Sequence, residues 1–178
     1  LLALIDPAAK AGLEPTVAAM RSLAQLGATD ASAALSRLAG AATTHPNVRL
    51  EAVAALGTLR AADGLATVQD LLTDDRPEMR AAATRAAAAI DQDSFTVVVA
   101  GMEPDRHWRV RAALAETLGG FPADLATERV RSMLQDEDKR VIAPALSSLA
   151  QLKASDVGTI LVQRLDDSDF VVRAPAAR

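Results

Sequence analysis

The sequence predicts an all-α protein, a right-handed α-solenoid of stacked helical hairpins with a 31-residue period. Three observations carry this. The dipeptide Val48-Arg49 recurs at a step of 31 as Met79-Arg80, Val110-Arg111, Val141-Ile142 and Val172-Arg173, with no gap. Other columns keep the step: Thr43, Asp74, Asp105, Asp136 and Asp167 stand six residues before the second member, and Leu56, Ala87, Leu118 and Leu149 seven after it. Finally, half the chain is hydrophobic but only 2% is aromatic, and alanine dominates, which suits helices packed closely through small side chains.

Along the chain, Leu23 and Leu26 precede Leu56 and Leu59 by slightly more than the regular step, so a small insertion sets off a first repeat. From each Val or Met of the recurring dipeptide, apolar positions follow at helical spacing and form one face of a second helix, with Leu56, Leu59, Leu149 and Leu152 on it. Leu65, Val68, Leu71 and Leu72 form the face of a first helix. The turn Thr73-Asp74-Asp75-Arg76 separates the two, and Pro77 fits the first turn of the next helix. Asp63, Ser94, Asp124 and Asp156 are the expected N-caps of first helices. Phe95 to Val99 reads as a strand from its β-branched residues, but the register assigns it to a first helix.

Pro144 and Pro175 fall inside second helices and are expected to bend or delay them. Gly57, Ala88, Gly119 and Ala150, eight past the Arg column, are expected to let neighbouring helices approach. The whole reads as a single segment over residues 1–178, about six repeats with the first and last partial, and as a fragment of a longer chain.

A formal net charge of −4 argues against a nucleic-acid backbone as the main partner. The absence of cysteine excludes disulfides, thiolate catalysis and Cys-ligated metals. The longest apolar run, Val97 to Met102, is far too short to cross a bilayer, so no membrane insertion is expected.

The motif Asp, five residues, then Val-Arg-x-x-Ala-x-x-Ala-Leu-x-x-Leu resembles the short bacterial HEAT repeat of the phycobilisome-lyase-like type, and the resemblance covers nearly the whole chain. It implies a ladder between neighbouring units, with Asp74, Asp105, Asp136 and Asp167 meeting Arg49, Arg80, Arg111 and Arg173. Ile142 interrupts the Arg column and Thr43 the Asp column. The texture also resembles the repeat region of bacterial proteins fused to a cyclophilin-type prolyl isomerase, although no residue here belongs to such a site.

His45 and His107 share one column two repeat steps apart, about 20 Å given the usual spacing of packed helices, so they cannot share a metal. The acidic groups Asp74-Asp75, Asp136-Glu137-Asp138 and Asp166-Asp167-Ser168-Asp169 fall in inter-helix turns, where capping and solvation account for them and Asp138 is ordinary surface charge. Arg106-His107-Trp108-Arg109 stands apart. A Trp flanked by Arg is the usual composition of a contact hot spot, with Arg111, Lys139 and Arg140 extending a basic strip; the alternative is a hydrophobic staple over the previous repeat. The exposed second-helix face would carry Glu51, Ala54, Arg85, Glu116 and Ser147, shallow enough for a peptide or helix and poorly shaped for a small substrate.

The expected function is a protein–protein interaction scaffold without a catalytic site, cofactor or metal, with a protein or peptide as partner. Trp108, Arg109, Arg106, Arg85 and Glu116 are the contact candidates. The alternative is a repeat arm or subunit of an enzyme, either a cyclophilin-type isomerase fusion or a phycobilisome-lyase-like protein.

Overall fold

The computed structural model describes residues 1–6 and 11–176, and it divides into two compact units, Leu1–Met102 and Glu103–Arg178. In the first unit a 3-10 turn, Leu2–Ile5, precedes α1 (Leu13–Gln25), α2 (Ser32–Gly40), α3 (Pro46–Leu59), α4 (Leu65–Asp70), α5 (Pro77–Ile90) and α6 (Gln92–Ala100). The second unit holds α7 (Trp108–Leu118), α8 (Ala123–Ser132), α9 (Lys139–Gln151), α10 (Val157–Leu165) and α11 (Phe170–Ala176). All regular structure among the described residues is helical, and from α2 to α9 shorter first helices alternate with longer second helices as the register requires. Phe95 to Val99 lies inside α6, so the repeat register prevails over local β propensity.

Second helices pack on second helices through the predicted columns. Leu56 and Val53 on α3, Met79 and Ala83 on α5, and Val141, Leu146 and Leu149 on α9 are buried. First helices contribute one side only, with Val68 on α4 and Ala126 and Val130 on α8. Two of them tighten at the end: α4 runs into a 3-10 turn at Leu71–Thr73 and α8 into one at Met133–Gln135, which turns Leu71, Leu72 and Leu134 inward. Leu26 departs from expectation. It follows the last residue of α1 as the C-cap and is 73% exposed.

Small residues set the distance between second helices. A Cβ built on Gly57 would lie 2.9 Å from Ala86 Cα, and one on Gly119 would lie 2.7 Å from Ser148 Oγ. In each unit the glycine thus faces a residue of the next second helix, just short of one repeat step further on. Ser148 is buried and donates to the Ala115 carbonyl at 2.8 Å, so the close approach also satisfies a polar group.

Helix ends differ in part from the sequence expectation. Pro46 and Pro77 open α3 and α5 at the first turn, where a missing N–H costs nothing. Of the four expected N-caps only Asp156 occupies that position, and its side chain makes no capping bond. α4 follows a 3-10 turn at Ala62–Gly64, so Gly64 takes the cap rather than Asp63. Asp91, the single residue between α5 and α6, accepts from Ser94 N at 3.0 Å and from Ser94 Oγ at 2.6 Å. Ser94 is therefore inside the helix, and Pro122 displaces Asp124 into the first turn of α8. Pro144 and Pro175 lie within α9 and α11, yet those helices start at Lys139 and Phe170, so neither start is delayed.

At the other ends, α1, α3 and α9 close by a left-handed residue, at Gly27 (φ 68°), Arg60 (φ 49°) and Lys153 (φ 54°). The next amide in each case reaches back to the carbonyl five positions earlier, Ala61 N to Leu56 O at 3.1 Å for example. Replacing Arg60 by glycine should therefore raise stability by up to about 1 kcal/mol, because a Cβ is disfavoured in this conformation. Gly57→Ala should lower it by about 1–3 kcal/mol, because Ala86 backbone cannot yield as a side chain would. Urea denaturation of both variants checks the pair of opposite signs.

Candidate functional site

The turns between first and second helices carry the recurring acidic groups. In four of these turns an Asp accepts from the amide two positions on: Asp74 from Arg76, Asp105 from His107, Asp136 from Asp138 and Asp167 from Asp169, at 2.8–3.0 Å. The Arg of the following helix points back at the same turn. Arg80 donates to the carbonyls of Asp74 and Asp75, Arg111 to that of Asp105, and Arg173 to those of Asp167 and Ser168. Arg49 has no Asp in its own turn and donates instead to the Ala39 carbonyl at 2.8 Å.

Two of these arginines also reach the next hairpin. Arg49 Nη2 meets Asp74 Oδ2 at 3.2 Å, and Arg111 forks onto Asp136 through Nε at 2.7 Å and Nη2 at 2.8 Å. The Asp136 hydrogen bond raises the Arg111 guanidinium above its ordinary value. Where Ile142 breaks the Arg column, Lys139 Nζ takes over at 3.0 Å from Asp167 Oδ1, with Arg164 at 3.6 Å from the same carboxylate. The fifth repeat therefore substitutes a different cation and does not rest on apolar packing alone. The Asp169 amide and Lys139 hold Asp167 below the ordinary carboxylate value.

Both histidines are N-caps. His45 Nδ1 accepts from Asn47 N at 3.2 Å and His107 Nδ1 from Arg109 N at 3.2 Å, in the column where Asp138 and Asp169 cap α9 and α11. Asp138 is thus no ordinary surface charge. It accepts from Arg140 N at 3.0 Å and grips the Arg140 guanidinium at 2.9 Å and 2.6 Å.

That grip aims Arg140 at Trp108. The Arg140 guanidinium carbon sits 3.8 Å from the ring centroid, with the His107 ring stacked 5.8 Å away and Arg109 at 5.4 Å. Trp108 is half-buried, and its face is covered by the following hairpin. The basic strip expected beside it is largely paired: Arg111 with Asp136, Lys139 with Asp167 and Arg140 with Asp138. Arg106 and Arg109 remain exposed at the edge.

A second set of residues lies on the second helices, away from the turns. In the first unit Leu13, Glu14, Val17 and Arg21 of α1 and Asn47, Leu50, Glu51 and Ala54 of α3 line an open groove of about 550 Å³. Arg21 and Glu51 pair across it at 2.8 Å. In the second unit Glu116, Ala143, Pro144, Ser147, Ser148 and Gln151 line one of about 260 Å³. Leu50, Glu51 and Ala54 hold the same repeat columns as Ala143, Pro144 and Ser147, three repeat steps apart. Arg21, Ala54, Arg85, Glu116 and Ser147 form one column, so the contact candidates Arg85 and Glu116 belong to the grooves' own register. Arg85 and Glu116 are exposed, and Arg85 Nη1 also donates to the Ala81 carbonyl at 3.3 Å. Glu51, Ala54, Glu116 and Ser147, expected on that face, line the grooves, whereas the contributions of α1 and Gln151 and the Asp138–Arg140–Trp108 stack escaped sequence reasoning. The signal for the stack was an Arg one repeat step and one position beyond the only Trp.

Among the described residues no group of three or more His, Asp or Glu is placed to hold a metal ion, and no helix is long and apolar enough to cross a membrane.

Two variants separate the strong rung from the weak. Arg111→Ala should cost about 3 kcal/mol, because it strands the largely buried Asp136 carboxylate. Lys139→Ala, at a more open pair, should cost less than about 1 kcal/mol; chemical denaturation measures both. Asp138 is held down to about 2 from its ordinary 3.8, first by the Arg140 side chain, against burial, then by the Arg140 amide. Its contribution to stability is therefore complete above about pH 4 and lost as pH falls through about 2. Asp138→Asn should flatten the acid limb of a stability–pH curve in that window and change the fluorescence of the only Trp.

The chain matches the model for HEAT repeats over residues 16–88, 36–102 and 95–178. A comparison with curated proteins found no match. Among solved structures it is similar to the complex of CpcE and CpcF of phycocyanin lyase from Nostoc sp. PCC7120, with a TM-score of 0.65 and 20% identity over 97% of this chain and 73% of that one. An engineered protein gives 0.58 and 19% over 99% and 93%, and a designed armadillo repeat protein 0.54 and 16% over 98% and 94%. At these identities the structures speak for the fold, and with the repeat match running through nearly the whole length, the chain belongs to the HEAT-repeat family.

Proposed function

We propose that this repeat segment is a protein-binding scaffold that takes a peptide or helix of a partner along its second-helix face. The observation that carries the reading is the pair of shallow grooves in the same repeat columns of both units. Each lining is open, of mixed apolar and polar character and free of the turn ladder, which suits an extended or helical segment lying in it. Leu13, Val17 and Leu50 offer apolar contact, while Glu116, Ser147 and Gln151 offer polar contact. The Trp108 edge is the weaker surface, because Arg140 already occupies the ring.

A second reading, a repeat subunit of an enzyme, draws support from the similarity to the phycocyanin lyase complex. In that reading the chain positions a partner and the chemistry resides elsewhere.

Cross-linking of the full chain in its native extract, read by mass spectrometry, identifies the partner and the contacted face together. Once the partner is purified, Leu50→Glu with Ser147→Arg should weaken binding at least about tenfold. Arg106→Glu with Arg109→Glu should change it by no more than about twofold at physiological salt. Loss of binding in the edge variant with retention in the face variant would mean that the groove reading is wrong. Purification of the chain with a catalytic subunit would favour the second reading.

A further inference from the structure

The groove of the first unit is layered along its two walls, α1 and α3. The step that carries Leu23 to Leu56 also pairs Glu14 with Asn47 and Val17 with Leu50 across the groove. Glu14 and Asn47 are exposed at one end. The Asn47 backbone amide bonds to His45, but among the described residues nothing bonds to its side-chain amide or to the Glu14 carboxylate. Three residues further, about 4.5 Å along each helix, Val17 and Leu50 stand half-buried as an apolar level. Beyond them Arg21 closes onto Glu51, with Nε at 2.9 Å and Nη2 at 2.8 Å from the same oxygen.

The charges of this lining define its occupant. Arg21 and Glu51 neutralise each other, which leaves the Glu14 carboxylate uncompensated and the Asn47 amide oxygen beside it as a second acceptor. A cation satisfies both, and an aliphatic group suits the level of Val17 and Leu50. The second unit lacks these levels: its residues in the same columns are Arg109 and Arg140, then Ala112 and Ala143. Donors and small side chains stand there in place of acceptors and apolar bulk. Glu14 also suits the first turn of α1, so a test has to exchange the charge on both partners.

We propose that the first-unit groove anchors a partner protein through a segment in which a Lys or Arg lies one helical turn, or two extended residues, from an aliphatic side chain. The cation donates to the Glu14 carboxylate and the Asn47 side-chain oxygen, and the aliphatic group lies between Val17 and Leu50. Glu14 repels an acidic segment at this level, and the columns of Arg109 and Arg140 disfavour a cation in the second unit. This rests on the groove reading above and adds which groove selects and the chemistry it selects.

The probe is a phage-displayed library of short random peptides selected on the full chain. Selected peptides should carry a Lys or Arg two to four positions from Leu, Ile, Val or Met. The tightest, made synthetically, should lose at least about fivefold in affinity on Glu14→Lys and about tenfold on Leu50→Ala. Replacing the peptide's cation by Glu should restore affinity for the Glu14→Lys chain to within about threefold of the original. A folding defect of the variant cannot give that recovery. Peptides selected without a cation, affinity indifferent to Glu14→Lys, or no recovery on charge exchange each overturn the proposal. If the peptides are lost with Ser147→Arg instead, the groove reading stands and the assignment to the first unit falls. If none is selected on either groove, both fall. Self-association of the chain that Glu14→Lys abolishes also overturns the proposal, for the occupant would then be a second copy.

Discussion

The second-helix arginine that ties its own turn to the next one is the interaction on which this architecture depends. A helical hairpin of roughly 30 residues cannot bury its apolar face alone, and it gains stability only when the next hairpin stacks in register. Apolar contact is non-directional and tolerates sliding. A guanidinium that meets both a turn carbonyl and a neighbouring carboxylate does not, because its fork has a fixed geometry. Arg111, held by Asp105 O on one side and Asp136 on the other, fixes the register of two hairpins with one side chain. The glycines then set the distance, Gly57 against Ala86 and Gly119 against Ser148, so that alanine-rich helices pack without large side chains between them.

Much of this was legible from the sequence, for a physical reason. A repeat multiplies each weak signal by the number of its copies. The helical assignment of Phe95 to Val99 came from register against local propensity, and α6 runs through that stretch. Positions that depend on local backbone were less legible. Three of the four expected first-helix N-caps are held by other residues, because a 3-10 turn, a one-residue link at Asp91 and Pro122 shift the starts by one to three positions. The substitution of Lys139 for the missing Arg at Ile142 was hidden too, since it reaches Asp167 from a different column.

The same logic separates the side chains the fold uses from those it leaves unused. The basic strip around Trp108 looked like a contact patch while its charges were counted without partners. Asp136, Asp138 and Asp167 account for Arg111, Arg140 and Lys139, and the Trp ring is spent on Arg140. What the ladder does not use lies along the second helices, in columns that vary from repeat to repeat: Arg21, Ala54, Arg85, Glu116 and Ser147. Keeping the turn while varying the face is what a repeat scaffold needs, because stability and recognition then reside in different residues.

A double-mutant cycle on Arg111 and Asp136 tests the central claim most directly, with Arg111→Met, Asp136→Asn and the combined variant compared by chemical denaturation. If the forked pair fixes neighbouring hairpins, the cycle should give a coupling energy of at least about 1.5 kcal/mol, with the double variant closer to wild type than the sum of the singles. A coupling below about 0.5 kcal/mol would mean that apolar stacking alone sets the register, and the ladder would be a consequence of the fold and not its support.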